Sequence, residues 1–377
     1  MINPELFLNE LLSKEINFFT GVPDSLLKYF LLHLDSLDSK NHIISTNEGS
    51  AIGLAIGYNL ATNKIPLVYL QNSGLGNIIN PILSLADEKV YSIPMIIMVG
   101  WRGEPGVKDE PQHLKQGEVT LDLIKSMNFK HRILSNEFHE GKRQLNELIH
   151  ITKNDQKPVF LIVKKNTFLE STINKKKQVS FISRESAIEA ICSSINNDDL
   201  VISTTGKASR ELYEIRKAQQ TSNEDFLTVG GMGHANQIAM GIALFSKDKN
   251  IYCIDGDGAV LMHMGGLVQI GNLKLDNFCH IIINNSSHES VGGQATLGDK
   301  ISFAEICKNS GYKKTYRVNT TNQLTEKLKL FNDIGGPICI EVICSSTSRS
   351  NLSRPTSSPK ENKESFKEKL FRKIDLS

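Results

Sequence analysis

Long apolar runs are missing from the sequence, and their absence excludes one class of protein. No uninterrupted stretch approaches the roughly 20 apolar residues that a membrane-spanning helix requires. The first five residues, Met1 to Glu5, also lack the basic start of a secretory signal. We therefore expect neither a membrane span nor export, and we expect a cytoplasmic location.

An excess of charge of one sign is absent as well. The chain has 43 basic and 41 acidic side chains among 377 residues, which gives a formal net charge of +2. This balance provides no electrostatic preference for a large polyanion. Nucleic acid is therefore not expected as a partner.

Paired cysteines are also missing. The six cysteines are scattered, mostly inside apolar runs, and none of them forms a C-x-x-C pair. Zinc sites and redox motifs use such close spacing. The cysteines are therefore predicted to be small buried hydrophobic residues.

The sequence does contain a repeated alternation of strand and helix patterns. Short runs rich in Ile and Val alternate with stretches of helical period, which is typical of parallel sheets covered by helices on both faces. We predict an α/β fold with two doubly wound parallel-sheet domains, residues 1–165 and 184–345. A solvated linker, 166–183, joins them, and a C-terminal tail, 346–377, follows.

The predicted strands and helices follow from these patterns. The strands are 17–20, 43–46, 67–71, 93–99 and 158–163 in the first domain, and 200–203, 251–255, 280–283 and 338–342 in the second. The helices are 48–61, five near positions 208, 235, 263, 303 and 322, and a short one at 360–373. The tail is either a frayed end or a segment that folds back over a site.

Polar side chains follow two neighbouring strands of the second domain. The strand ending at Asp255 runs into Gly256-Asp257-Gly258, and the next strand ends in Asn284-Asn285. Ligands of open α/β sheets bind at the carboxyl ends of strands, so these side chains could meet. Carboxylate and amide oxygens are ligands that Mg²⁺ takes together with phosphate oxygens. The alternative is that the two motifs are only a turn and a strand cap.

The Gly-Asp-Gly and Asn-Asn motifs, 25 residues apart, resemble the signature of thiamine-diphosphate enzymes. In that family the aspartate, the second asparagine and a backbone carbonyl two residues later bind the metal. The resemblance therefore implies Asp257, Asn285 and Ser287 as metal ligands. It also implies cofactor contacts of the neighbouring residues Gly256, Gly258 and Ala259.

A lone carboxylate, Glu48, stands where a strand gives way to a helix of small residues. For an arbitrary glutamate this would be only a helix-start acid favoured by the macrodipole. Thiamine enzymes keep a glutamate at this place, where it hydrogen-bonds the aminopyrimidine ring and promotes loss of the thiazolium proton. The resemblance therefore implies that Glu48 is both catalytic and cofactor-binding.

Two glycine-containing loops of the second domain are further candidates for cofactor contacts. Thr205 and Gly206 end a strand and open a helix, so the hydroxyl and the backbone amides there could bind the diphosphate. The loop is not a Walker motif, which needs Ser or Thr where Ala208 stands. Gly231 precedes Met232, which is either the apolar wedge that bends the cofactor or a core methionine.

Four further motifs resemble phosphonopyruvate decarboxylases, and sulfopyruvate decarboxylases share part of the pattern. The resemblance implies substrate contacts from Asp24, Ser25, Arg102, Gln112 and His113, with His113 and His288 also catalytic. One departure is Ser286-Ser287-His288-Glu289, where Gly or Ala is expected before the histidine and Asp after it. The motifs lie at 20–25, 100–106, 109–113 and 290–294.

The resemblance runs from about Gly21 to the tail and includes no middle domain of the kind that larger thiamine enzymes have. It implies a homodimer with intersubunit sites, thiamine diphosphate and Mg²⁺ as cofactors, and conversion of phosphonopyruvate into phosphonoacetaldehyde and CO₂. Alternatives are sulfopyruvate decarboxylation, carboligation of the acetolactate type, and a nucleotide-binding protein without catalysis. The sequence does not rank the candidate anion-binding cations, which are Arg102, Lys207, Arg210, Arg349 and Arg354.

Overall fold

A computed structural model describes residues 1–171, 181–221, 224–346, 348–349 and 351–372. The chain divides into two units. The first unit comprises Met1–Lys175 and His288–Ala295, and the second comprises Lys176–Ser287 and Thr296–Ser377. The lysine run of the predicted linker lies outside the described residues.

Six parallel strands form the sheet of the first unit, in the order β2-β1-β3-β4-β6-β5. The three central strands consist almost entirely of buried aliphatic and aromatic residues, as strands covered on both faces must. The strands are β1 Phe19–Gly21, β2 His42–Ile44, β3 Leu67–Gln71, β4 Ile96–Gly100, β5 His131–Ile133 and β6 Val159–Val163.

The two faces of this sheet carry separate apolar cores. Along β3, Leu67 and Tyr69 enter one buried cluster, whereas Val68 and Leu70 enter the other. Successive side chains of a strand point to opposite faces, so this alternation shows that helices cover both. The helices are α1 Pro4–Ser13, α2 Lys28–Leu34, α3 Glu48–Thr62, α4 Leu75–Pro81, α5 Pro111–Ser126 and α6 Phe138–Asp155, with a 3₁₀ turn at Asn72–Gly74 and a π-helical turn at Ile82–Ala86.

The sheet of the second unit is also parallel, with the order β12-β13-β11-β10-β8-β9. A short strand, β7, pairs with the end of β13. The strands are β7 Ile182–Ser183, β8 Leu200–Ser203, β9 Phe226–Leu227, β10 Ile251–Gly256, β11 Phe278–Asn284, β12 Lys314–Val318 and β13 Ile338–Ser345. Their register brings the carboxyl ends of β10 and β11 side by side, with Gly256 opposite Ile283.

Two buried apolar clusters again flank the sheet. The helices of this unit are α7 Arg184–Ser194, α8 Lys207–Ala218, α9 Ala235–Phe245, α10 Asp257–Met262, α11 Gly266–Leu273, α12 Phe303–Asn309, α13 Thr321–Ile334 and α14 Pro359–Phe371. None of the helices in the described ranges combines the length and the apolar character that crossing a bilayer requires. All six cysteines are buried and free.

The predicted class, two doubly wound parallel-sheet domains, is confirmed. The predicted strands are all present, and two of them, Leu67–Gln71 and Leu200–Ser203, have the predicted bounds. Four strands were missed, β5, β7, β9 and β12, which have two to five residues and few fully buried positions. The helix expected near 263 is two helices, because the chain breaks at His263 between α10 and α11.

The end of the chain is part of the second unit. Helix α14 begins with a capping box at Ser358 and Glu361 and packs on β9, with Phe366 edge-on to Phe226. The Asn362 amide donates to the Asp225 carbonyl (2.8 Å), and its oxygen accepts the Leu227 N–H (3.1 Å). Residues 359–371 are therefore not a frayed end.

Candidate active site

Glu48 lies where the sequence predicts it, at the first position of α3. Asn47 caps the helix by accepting the Ser50 N–H at 2.8 Å, and this fixes the start of the helix. The Glu48 side chain is buried, and its Oε2 accepts a hydrogen bond from the Asn77 amide at 2.7 Å. A Cβ on Gly74 would lie 2.6 Å from the carboxyl carbon of Glu48. The carboxylate is thus held by one amide in a space that a glycine provides.

A second buried carboxylate, Asp24, follows β1. Its Oδ2 accepts the backbone N–H groups of Leu26 (2.6 Å) and Leu27 (3.3 Å), whereas Oδ1 has no hydrogen-bond partner in the described part of the chain. Gly100 makes room for it, because a Cβ there would lie 2.8 Å from Asp24 Cγ. Burial raises the pKa of the Asp24 carboxyl to about 6. The group can therefore hold a proton close to neutral pH.

Arg102 forms a bidentate ion pair with Asp109. Its Nε donates to Asp109 Oδ2 at 2.8 Å and its Nη2 to Oδ1 at 2.5 Å, while Nη1 donates to Ser25 Oγ at 2.8 Å. Burial opposes ionisation of Asp109, but the guanidinium and the N–H groups of Glu110 and Gly103 hold the pKa of its carboxyl well below the usual range. The predicted substrate residues Ser25 and Arg102 are therefore joined to each other.

Gln112 and His113 lie in the first turn of α5, both partly exposed. Gly103 packs against the His113 carbonyl with a φ of +69°, so a side chain at Gly103 would collide with this turn. His113 Nδ1 is buried and has no hydrogen-bond partner among the described residues. Burial, followed by the nearby Arg102 charge, lowers the pKa of His113. The imidazole is therefore expected to be neutral at pH 7 and able to accept a proton.

A cavity of about 220 Å³ opens beside these residues in the first unit. Its wall includes Ser25, Trp101, Arg102 and Asp109. Trp101, the only tryptophan of the chain, is fixed by a hydrogen bond from its Nε1 to the Gly117 carbonyl at 2.8 Å. Pockets for drug-sized ligands measure roughly 300–1,000 Å³, so this cavity suits a smaller molecule.

In the second unit Asp257 begins α10 directly after β10. Its carboxylate is buried and accepts a short hydrogen bond from the Thr296 hydroxyl. Burial raises the pKa of Asp257 to about 6. The neighbouring Gly258 and Ala259 are buried, and Gly256 is partly exposed at the strand end.

Asn284 is the last residue of β11 and Asn285 follows it, and both are buried. Asn284 Nδ2 donates to Glu341 Oε1 at 2.9 Å and to the Gly298 carbonyl at 2.7 Å. Asn285 Oδ1 accepts the N–H of Ser287 at 3.1 Å, which folds the backbone of this predicted ligand back towards the asparagine. Neither Asn284 nor Glu341 was predicted as a site residue.

Oxygen atoms converge around Gly298. A Cβ on Gly298 would collide with Asn284 Oδ1 and lie 2.7 Å from Asp257 Oδ2 and 3.1 Å from Thr296 Oγ1. A carboxylate, an amide oxygen and a hydroxyl around one small residue form the hard donor set that suits Mg²⁺. These donor types suit a magnesium ion, and of the predicted ligands Asp257 contributes to the cluster. The amide oxygen comes from Asn284 and not from the predicted Asn285, and it also accepts the N–H and the hydroxyl of Ser286. The sequence motifs missed Thr296 because it belongs to no strand end.

The loop before α8 has a glycine at the helix N-cap. Gly206 is the N-cap with a φ of +99°, and no side chain caps the helix. Thr205 Oγ1 donates to the Val229 carbonyl at 2.9 Å, so this hydroxyl faces the neighbouring loop. Uncapped N–H groups at a helix start bind phosphate well.

The two remaining cofactor candidates lie in a glycine-rich turn before α9. Gly231 and Gly233 have φ values of +64° and +87°, and Met232 between them is partly exposed. His234 stacks on His263 with ring centroids 4.5 Å apart. Met232 is thus a loop residue and not a core methionine.

His288 lies beyond β11, in the segment His288–Ala295 that belongs to the first unit. Its carbonyl accepts the N–H groups of Val291 and Gly293, and its own N–H donates to the Gln294 carbonyl. Burial lowers the pKa of His288 to about 4. The imidazole is therefore expected to be neutral at physiological pH.

The candidate anion-binding cations of the second unit are mostly engaged. Lys207 Nζ donates to Ser348 Oγ at 2.6 Å, and Arg349 pairs with Glu185 and Glu214. Arg210 and Arg354 also have interaction partners. The tail thus contacts the first residue of α8, Lys207.

Models of two protein domains match this chain. The model of the N-terminal TPP binding domain of thiamine pyrophosphate enzymes matches residues 4–126, and that of the C-terminal TPP binding domain matches residues 202–342. Glu48 lies in the first range, and Asp257 and Asn285 lie in the second. The first match includes β1 to β4 and ends before β5 and β6, and the second includes β9 to β12 and most of β13.

Relatives match over most of the chain. The phosphonopyruvate decarboxylase of Streptomyces viridochromogenes is 28% identical over 90% of this chain and 88% of its own length. The sulfopyruvate decarboxylase of Methanosarcina acetivorans is 26% identical over 98% of both chains. The sulfopyruvate decarboxylase subunit beta of Methanocaldococcus jannaschii is 34% identical over 39% of this chain and 73% of its own length. The chain therefore belongs to the thiamine pyrophosphate enzymes.

Proposed function

We propose that this enzyme decarboxylates 3-phosphonopyruvate to phosphonoacetaldehyde and CO₂, with thiamine diphosphate and Mg²⁺ as cofactors. The observation that carries the proposal is the buried carboxylate of Glu48, which accepts a hydrogen bond from Asn77. It occurs in a chain that aligns with 88% of the length of a phosphonopyruvate decarboxylase. When bound, thiamine diphosphate supplies the electron sink that the loss of CO₂ requires. The protein has to bind the cofactor, aim it and manage protons.

The second unit provides the anchor for the diphosphate. We propose that Asp257, Asn285 and the Ser287 carbonyl bind Mg²⁺, with Thr296 holding the Asp257 carboxylate in place. The diphosphate would accept hydrogen bonds from backbone N–H groups at the start of α8. Met232 would then support the cofactor from the turn before α9.

Proton transfer falls to residues of the first unit. Glu48 would hydrogen-bond the pyrimidine ring and exchange a proton with it. Asp24, whose pKa of about 6 lets it hold a proton, is suited to deliver the proton that replaces CO₂. His113, a neutral imidazole whose Nδ1 has no hydrogen-bond partner among the described residues, is suited to accept a proton during turnover. His288 is proposed as a second imidazole for this role. Gln112 would contact the substrate from the same turn as His113.

The enzyme is proposed to work as a homodimer. In such a dimer Glu48 of one subunit and Asp257 of the other serve the same cofactor, so each dimer has two sites. A symmetric dimer with a two-fold axis produces this pairing twice. Size-exclusion chromatography with light scattering tests the oligomeric state directly.

Sulfopyruvate is the second candidate substrate. It is supported by the match to the Methanosarcina acetivorans relative over 98% of both chains. Both substrates are small 2-oxo acids with a tetrahedral anion at the far end, so the two activities need the same cofactor chemistry. The ratio of kcat/KM for the two substrates decides between them.

One set of assays tests the proposal. CO₂ release is measured from phosphonopyruvate, sulfopyruvate and pyruvate, with and without thiamine diphosphate and Mg²⁺. Glu48→Gln should still show a thermal shift with the cofactor while its turnover falls at least about a hundredfold. Asp257→Ala should lose the thermal shift. Full turnover in either variant would refute the proposal.

A further inference from the structure

The cavity of the first unit has two lysines in its wall, Lys108 and Lys165, that form no ion pair with any acid of the described residues. Two acids also line the cavity, but each is engaged elsewhere. Asp109 accepts the fork of Arg102, and Glu104 pairs with Lys164. Within the described ranges neither lysine forms an ion pair or a hydrogen bond. After these pairings the remaining charge of the cavity wall is positive.

The lysines come from two different segments of the same unit. Lys108 is in the loop between β4 and α5, and Lys165 follows the end of β6. β4 and β6 are neighbours in the sheet, with Gly100 opposite Val163. The loops at their carboxyl ends therefore lie side by side, at the edge of the sheet where ligands of such folds bind. Both side chains are exposed, so a ligand can reach them.

We infer that Lys108 and Lys165 bind the phosphonate group of the substrate. This inference rests on the proposed function and deepens it, because it names the residues that recognise the far end of the 2-oxo acid. A phosphoryl group carries about −1.5 to −2 charges at pH 7, whereas a sulfonate carries one. Two uncompensated ammonium groups therefore favour a phosphonate over a sulfonate.

Arg102 has a different task in this arrangement. Three of its donors are already used by Asp109 and Ser25, so its charge is largely compensated. The guanidinium holds Ser25 and Asp109 in the cavity wall, and this keeps the Asp109 carboxylate from turning towards the anion. Arg102 is therefore a positioning residue, and the lysines make the charged contact.

Trp101 makes the binding step measurable without turnover. It is the only tryptophan of the chain and lies in the cavity wall. The full-length protein, loaded with thiamine diphosphate and Mg²⁺, is titrated with phosphonoacetate, sulfoacetate and acetate while its fluorescence is followed. Isothermal titration calorimetry runs in parallel, so that binding without a fluorescence change is also detected.

The wild-type protein should bind phosphonoacetate at least about tenfold more tightly than acetate, and more tightly than sulfoacetate. Lys108→Ala and Lys165→Ala should each weaken phosphonoacetate binding about tenfold or more, since each removes a charge-assisted contact. Acetate binding should not change. Lys115→Ala is the matched control, because Lys115 is an exposed lysine of the same unit that pairs with Glu118 and does not line the cavity.

Kinetics separate this inference from the proposed function. If the protein decarboxylates phosphonopyruvate, the two variants should raise KM for phosphonopyruvate about tenfold with little change in kcat and no change with pyruvate. Activity with unchanged KM and unchanged phosphonoacetate binding in both variants would overturn the role of the lysines alone. Failure to decarboxylate any 2-oxo acid would overturn the proposed function. In that case the binding of phosphonoacetate would still depend on the two lysines if they form an anion site.

Discussion

The carboxylate of Glu48 occupies the space in which a side chain at Gly74 would stand. A Cβ on Gly74 would lie 2.6 Å from Glu48 Cδ and 2.7 Å from its Cγ. Asn77, which donates to Glu48 Oε2, lies one turn further along the chain in α4. The position of the proposed proton-transfer group is therefore fixed by the turn that follows β3.

Gly74→Ala should displace Glu48 and lower kcat at least about tenfold, because a shift of about 1 Å in a reacting group can cost a hundredfold. The overpacked turn should also lose about 1–3 kcal/mol of stability. Initial rates of CO₂ release and chemical denaturation measure the two effects. Gly76→Ala, two residues further along in α4 with open space around it, should change neither, and equal rates in the two variants would contradict the role of Gly74.

Gly298→Ala should disturb the oxygen cluster of the second unit. The added Cβ would push into Asn284 Oδ1 and crowd Asp257 and Thr296. We expect the Mg²⁺-dependent thermal shift with thiamine diphosphate to be reduced or lost. Gly241→Ala, in the same unit with nothing within 4 Å, is the control and should retain the full shift. A normal shift in Gly298→Ala would show that the cluster does not contribute to cofactor binding.

The buried Asp24 should make stability depend on pH. Its pKa is raised from 3.8 to about 6, so between these values the folded protein binds a proton that the unfolded chain has lost. Stability contributed in this way is complete below about pH 4 and is lost as the pH rises through 6. The free energy of unfolding of Asp24→Asn, taken relative to wild type, should therefore be about 1–3 kcal/mol higher at pH 8 than at pH 4.

Chemical denaturation of the cofactor-free protein at the two pH values measures this gain. The difference between the pH values is the readout, because loss of the carboxylate can shift stability equally at both. A gain of the same size at pH 4 and pH 8 would mean that folding does not raise the pKa of Asp24.

Mixing two inactive variants tests the proposed intersubunit sites. If each site takes Glu48 from one subunit and Asp257 from the other, a hybrid of Glu48→Gln and Asp257→Ala subunits has one intact site. After unfolding and refolding a 1:1 mixture, activity should return to about a quarter of the wild-type value, because half of the dimers are hybrids. Sites built within single chains would give no recovery, and each variant refolded alone is the control.

The sequence predicted the strand ends of the site well, because each carries a short motif tied to a buried strand. Asp257 starts a helix directly after β10, and Glu48 starts one with three residues between it and the end of β2, so their placement follows from local structure alone. Thr296 and Glu341 could not be found in this way. Thr296 reaches Asp257 from a loop, and Glu341 reaches Asn284 from the adjacent strand β13, and such contacts depend on tertiary packing.

The sequence patterns also failed to predict the strands at the edges of the sheets. β12 has the sequence Lys-Thr-Tyr-Arg-Val and buries only its last residue fully, so it lacks the continuous apolar run of the central strands. The predicted substrate residues show a related limit. The sequence named Arg102 as a cation near the substrate, but only the structure shows that Asp109 and Ser25 use its donors.

The hydrogen bonds of Asn362 protect the edge of a sheet from pairing with another copy of the chain. β9 is the outermost strand on its side of the sheet, and the Asn362 side chain binds the backbone groups of Asp225 and Leu227 that point away from β8. The Asn362 amide thus forms the two hydrogen bonds that a further strand would form with the edge of β9. A chain ending before Pro359 would present that edge to its copies, and edge-to-edge pairing is a common start of aggregation.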